Sequence, residues 1–203
     1  MRLNHTFLCL ALVLGLAQFS AWAGPVSSGI WYEFYWDDGT TGPSSNVPTA
    51  GCTDIYAFCP ISPPYDVTWT DDPPWTYTAG PEGAVFTITD VAIAGDSFNV
   101  YDFGSLILAT PTVPNTGYVC GTTDSDYVDP AVCFGDPNLS YGQVVLPPGP
   151  NSLTIVARDA PFGDGVGDFR IDPIPEPAMG ALGGAVIFGI ACLKRCRAPK
   201  KSS

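Results

Sequence analysis

The chain predicts an all-β fold, an antiparallel β-sandwich of jelly-roll-like form between residues 24 and 173. Three observations predict it. No window carries a helical hydrophobic period. Short apolar runs alternate with polar residues instead, and 22 glycines and 21 prolines punctuate those runs with turn signals. Alternation broken by frequent turns is how a two-sheet antiparallel domain reads.

The first run, Gly29 to Trp36, sets Ile30, Tyr32, Phe34 and Trp36 on one face as core. Trp31, Glu33 and Tyr35 fall on the other, which would either meet solvent or pack under a loop. Ala84 to Ala92 alternates Phe86 and Ile88 with Thr87 and Thr89. Ser97 to Phe103 and Leu106 to Thr110 flank Gly104-Ser105 and predict a hairpin. Gly142 to Leu146 and Ser152 to Arg158 flank Pro147-Pro148-Gly149-Pro150-Asn151 and predict another, and Gly167 to Ile171 supplies a last strand. Seven or eight short strands suffice for two packed sheets. Between them, Asp37 to Pro64 and Pro111 to Pro137 read as long loops.

Those loops hold Cys52, Cys59, Cys120 and Cys133. Four cysteines permit three pairings, and the local one, Cys52–Cys59 with Cys120–Cys133, is favoured because each pair brackets a turn-rich loop. No CxxC occurs, so the cysteines predict loop staples rather than a redox or zinc motif.

Charge prunes the chemistry. Nineteen of the twenty acidic residues lie between 24 and 173, against two basic ones, Arg158 and Arg170. Nucleic acid is excluded as a partner, because phosphate binding needs clustered Lys and Arg. The same span contains no Lys, and the one His of the chain is His5. Ser-His-Asp and Cys-His catalysis, His-ligated zinc and Schiff-base chemistry are therefore absent, leaving carboxylate-based hydrolysis as the enzyme class to weigh. Glu33 and Glu82 are the only Glu of the span, and nothing in the sequence ties them together. No catalytic residues are assigned, and the chain is read as a non-enzyme. No cofactor is expected either, and calcium is the ion the acidic loops would suit.

Both ends read as addresses. Arg2 and His5 precede an apolar stretch, Phe7 to Phe19, and Ala21-Trp22-Ala23 forms an A-x-A cleavage site, so residues 1–23 predict a secretory signal peptide. At the other end, residues 174–203 hold Pro175-Glu176-Pro177, an uncharged run at 179–193, and a basic tail at 194–203 with Lys194, Arg195, Arg197, Lys200 and Lys201. Fifteen residues are short for a bilayer span, which takes about 20, and the run is rich in Gly and Ala, so the single hydrophobic helix it predicts is a marginal one. The positive cluster would hold the C-terminus in the cytoplasm, and it argues against a lipid-anchor signal, which ends in its apolar segment.

In that order, Pro175-Glu176-Pro177, the Gly-rich span and the Arg/Lys cluster resemble the PEP-CTERM sorting signal of Gram-negative bacteria. The resemblance covers about the last thirty residues. It implies recognition by an exosortase, a membrane-embedded cysteine protease, with removal of the tail near the motif. It also implies residence at the cell surface or outside the cell, in species that make exopolysaccharide. The span departs from the pattern in being Leu-poor and interrupted by Cys192, and Cys196, Ala198 and Pro199 split the basic cluster. A second likeness runs through the domain. Ala94-Gly95-Asp96-Ser97-Phe98 to Asp102, Leu146-Pro147-Pro148-Gly149 and Ala160-Pro161-Phe162-Gly163 resemble a secreted β-sandwich pattern of uncharacterised bacterial and fungal proteins. It implies a fold and no activity.

Two sets of residues are candidates for binding. Trp31, Tyr35, Trp69 and Trp75, with Tyr77, are polar-edged rings of the kind that stack on sugars, or else they are the core a small β domain needs. Acids cluster at Asp37-Asp38, Asp71-Asp72, Asp124, Asp126 and Asp129, and Asp164 with Asp168. None fits an EF-hand, and most acids of this kind cap turns. Asp124, Asp126 and Asp129 are the set predicted for calcium, ahead of Asp164 and Asp168.

The expected function follows: an exported surface or matrix protein, transiently anchored in the inner membrane by its C-terminal span, processed by exosortase and associated with extracellular polysaccharide. The alternatives are a carbohydrate- or calcium-dependent binding module and, behind it, a carboxylate-based glycoside hydrolase.

Overall fold

The computed structural model describes residues 24–40, 42–52, 67–91, 93–120 and 129–176. Among them lie β1 (Gly24–Pro25), β2 (Trp31–Asp37), β3 (Ser44–Pro48), β4 (Ala50–Gly51), β5 (Val67–Trp69) and β6 (Trp75–Ala79). Then follow β7 (Ala84–Asp90), β8 (Ser97–Asp102), β9 (Ser105–Ala109), a one-turn helix α1 (Pro130–Cys133), β10 (Tyr141–Leu146), β11 (Gly149–Ala160) and β12 (Asp164–Pro173).

The strands form two six-stranded sheets. One runs β1-β6-β11-β8-β9, with β3 on the C-terminal half of β11; the other runs β10-β7-β12-β2-β4, with β5 also on β2. Pairing is antiparallel between all the longer strands. Two short edge pairings, β1 with β6 and β2 with β5, are parallel instead. Each joins strands far apart in the chain, with the long connection that a parallel return requires.

Alternation along the strands builds one core between the sheets. Tyr32, Phe34 and Trp36 of β2, Ala84, Phe86 and Ile88 of β7, and Phe169 and Ile171 of β12 face Trp75, Phe98, Val100, Leu153, Ile155 and Ala157 of the first sheet. Rings bridge the layers: Phe34 meets Phe98 edge-on at 5.5 Å, and Trp75 lies 4.9 Å from Phe169. Such pairs contribute about 0.5–1.5 kcal/mol each beyond burial. Two glycines of β12 make room for them. A Cβ on Gly167 would stand 2.6 Å from Phe34 Cζ, and one on Gly165 would stand 2.4 Å from Trp36 Cζ2.

The structure extends and shifts several expected elements. Residues 37–64 are not all loop, since β3 and β4 occupy part of them. The hairpin turn is Phe103-Gly104, not Gly104-Ser105. Both residues have positive φ, 46° and 78°, the geometry a two-residue type I′ turn demands. The second expected hairpin does not form: β10 pairs with β7 in one sheet and β11 with β6 and β8 in the other, so Pro147-Pro148 carries the chain across from sheet to sheet. In the loop expected from Pro111 to Pro137, Asp129 caps α1 by accepting from the Ala131 N–H at 2.9 Å, with Pro130 in the first helical position.

The Cys120–Cys133 disulfide is present, across 13 residues. It sits in a second, smaller apolar cluster with Val91, Ala94 and Leu139, packed against Val166. Cys52 is also disulfide-bonded, and Cys59, the partner expected for it, lies outside the described residues. So do Ala21, Ala23, Asp124, Asp126, Pro177 and the apolar span at 179–193. No helix among the described residues is long and apolar enough to cross a membrane.

Candidate functional site

Two groups of buried acids are the chemical features of this fold. The first lies on the outer face of the second sheet. Trp31, Glu33 and Tyr35 of β2 point there by alternation, and Glu33 stands directly between Asp168 of β12 and Trp69 of β5 across the ladder. The face is covered: Glu33 is 6% exposed and Asp168 2%. Burial pushes the Glu33 carboxyl up to about 7. Burial also raises Asp168 well above the usual carboxylate range, with the charges of Glu33 and Asp129 adding to it. Asp168 Oδ1 has no hydrogen-bond partner, and Glu33 Oε1 lies 3.4 Å from Cys52 Sγ. Two neighbouring acids, one poised near neutrality, meet part of what carboxylate hydrolysis needs. Both carboxyls are buried beneath the outer surface of the sheet.

The second group closes one end of the sandwich. Asp90 ends β7 on the same face as Ala84, Phe86 and Ile88, and so enters the interior. Asp96 follows the Ala94-Gly95 turn, and the turn packs tightly, since a Cβ on Gly95 would stand 2.7 Å from Pro161 Cγ. Asp96 lines a cleft of about 250 Å³ with Val91, Ile93, Phe162, Asp164 and Gly165. Burial raises Asp90 well above its ordinary range, and the nearby Asp96 charge adds to it. Burial, then the charges of Asp164 and Asp159, lifts Asp96 to about 7.

Asp159 shows the contrast. It accepts from Ser97 Oγ and, at 3.0 Å, from Thr112 Oγ1, and these bonds hold its carboxyl below the usual range. Arg158 pairs with Asp159 at 3.3 Å, and Arg170 pairs with Asp172 at 2.7 Å, so both arginines of the domain have structural partners.

The rings predicted for sugar stacking divide. Trp75 is fully buried in the core and donates its indole N–H to the Asp71 carbonyl at 2.7 Å. Trp31 is buried on the outer face of its sheet. Neither offers a ring face to solvent. Tyr35, Tyr77 and Trp69 are half-buried, and Trp69 lines a cleft of about 280 Å³ with Pro25, Tyr32, Cys52, Thr70 and Asp71.

The predicted acids divide as well. Asp164 and Asp168 share a face of β12 four residues apart, roughly 13 Å along a strand, too far to hold one ion together. Asp129 is committed to capping α1. Among the described residues, no group of three or more His, Cys, Asp and Glu is arranged to hold a metal ion. The sequence reading missed Asp90 as a site residue, although its signal was there: it is a charged residue on the core-facing parity of an alternating run.

No protein-family model matches the chain, and comparison with curated proteins and with solved structures finds no match.

Proposed function

We propose that the protein is an exported, non-enzymatic surface or matrix component, sorted through Pro175-Glu176-Pro177 by an exosortase and associated with exopolysaccharide. One observation carries the reading: both expected processing points flank the sheets without cutting into them. Gly24, the residue after the A-x-A site, is paired with Trp75 at a sheet edge, so cleavage before it leaves β1 intact. β12 ends at Pro173, the Ile174 N–H bonds the Gly83 carbonyl at 3.3 Å, and Pro175 and Glu176 beyond it are exposed. A protease at the membrane would find Pro175 and Glu176 exposed beyond the last strand.

Successive strands cross between the sheets at nearly every step, which supports the jelly-roll-like description. A stapled, acidic sandwich is a stable body for an oxidising exterior. The burial of Trp31 and Trp75 weighs against a broad stacking platform, which supports a passive matrix role over a sugar-binding one.

Deleting residues 175–203 tests the sorting reading in the producing cell. The truncated protein should appear in the medium, while the intact chain fractionates with the envelope. Truncated protein that still fractionates with membranes would contradict it. Co-sedimentation with the cell's own exopolysaccharide tests the association. Saturable binding lost in Trp69→Ala or Tyr35→Ala would make the protein a sugar-binding module instead.

A further inference from the structure

The Asp90–Asp96 end of the sandwich lacks a partner that its chemistry demands. Asp90 is 0% exposed, and neither carboxylate oxygen has a hydrogen bond of normal geometry; Asp96 is 4% exposed, with Oδ1 unpartnered. The backbone amides of Asp96, Gly95 and Val91 approach Asp90 and offset only part of the penalty of burial. Trp36 Nε1, on the ring that packs against Gly165 of the cleft wall, is a further buried polar atom without a partner. Buried polar groups are satisfied in the great majority of cases, by protein, water or an ion.

Among the described residues, no side-chain cation pairs with these acids. No Lys or His occurs between 24 and 173, and Arg158 and Arg170 are engaged with Asp159 and Asp172. A soft or imidazole-loving metal has no ligands in this cleft, since its lining contains neither Cys nor His. Oxygen donors on neighbouring carboxylates suit a hard divalent ion, which accepts several waters in its shell. The cleft, at about 250 Å³, has room for them.

We propose that Asp90 and Asp96 bind a hard divalent cation, calcium or magnesium, at the end of the sandwich, with water completing the shell. Two carboxylates carry the site, in keeping with the absence of any three-residue cage among the described residues. The position differs from both acid sets expected from sequence, and it does not depend on how the chain is sorted. The ion would tie the Gly95 turn to the end of β7 and cancel the mutual repulsion of the acids.

The test is calorimetric titration of the chelator-stripped full chain with calcium and, separately, magnesium, near neutral pH. The expected result is one saturable site, with calcium Kd on the order of 0.1–1 mM, as extracellular sites of this ligand class show, and a rise in Tm with the ion. Tighter binding of calcium would assign a flexible, high-coordination site, and tighter binding of magnesium an octahedral one. Asp90→Asn and Asp96→Asn should each weaken binding about tenfold or more, while Asp172→Asn, paired with Arg170 on the surface, should leave it unchanged. If Asp90→Asn does not fold, Asp96→Asn at the cleft wall gives the same reading. No saturable heat with either ion would overturn the proposal, as would undiminished binding in Asp96→Asn.

Discussion

At the scale of single residues, the fold depends on atoms that are absent. Gly167 and Gly165 stand opposite Phe34 and Trp36, and the rings fill the space a side chain would take. Gly167→Ala should cost about 1–3 kcal/mol in urea denaturation, because an inserted methyl must displace a ring in a filled core. The buried acids set the response to pH. Glu33 and Asp96 have folded-state pKa values near 7, and Asp90 and Asp168 are raised as well. Between about pH 4 and pH 7 the native state therefore holds more protons than the unfolded chain, and stability falls as pH rises through that window. The Glu33 rise alone corresponds to about 3 kcal/mol. Asp159, held low by its donors, acts in the opposite sense, and its contribution is lost only as pH falls below about 4. In chelator, the protein should melt at higher temperature near pH 5 than near pH 8. Asp90→Asn should flatten that profile, and the ion should restore stability on the alkaline side.

At the scale of elements, the longer strands were legible because their alternation is local and strong. β2, β7, β8, β10 and the middle of β11 follow directly from inward Phe, Trp, Ile and Val. The short strands β1, β3, β4 and β5 were not, since two to five residues are too few to carry a period, and only a neighbouring edge makes them strands. Register was equally hidden. Nothing local says that Glu33 faces Asp168, or that Asp90 shares an end of the sandwich with Asp96, because those meetings depend on which strands pair. The loop before α1 was legible through its cysteines. Its disulfide anchors the small cluster of Val91, Ala94 and Leu139 rather than the main core. Replacing Cys120 and Cys133 together by Ser should lower stability by about 3 kcal/mol, the magnitude for a loop of this size. Hydrogen exchange should show the loss concentrated around residues 91–96 and 129–140, with the amides of β2 and β12 protected longest.

At the scale of the whole molecule, an acidic body without Lys or His stands between two predicted addresses, and its sheets neither include nor obstruct either processing point. The two ends of the reading are checked together by the intact mass of the protein recovered from the surface of its producing cell. The account predicts a chain that starts at Gly24 and stops near Pro175–Pro177, with both cysteine pairs oxidised. A surface form that keeps residues 179–203 would contradict the sorting account, and one that keeps residues 1–23 would contradict export by signal cleavage.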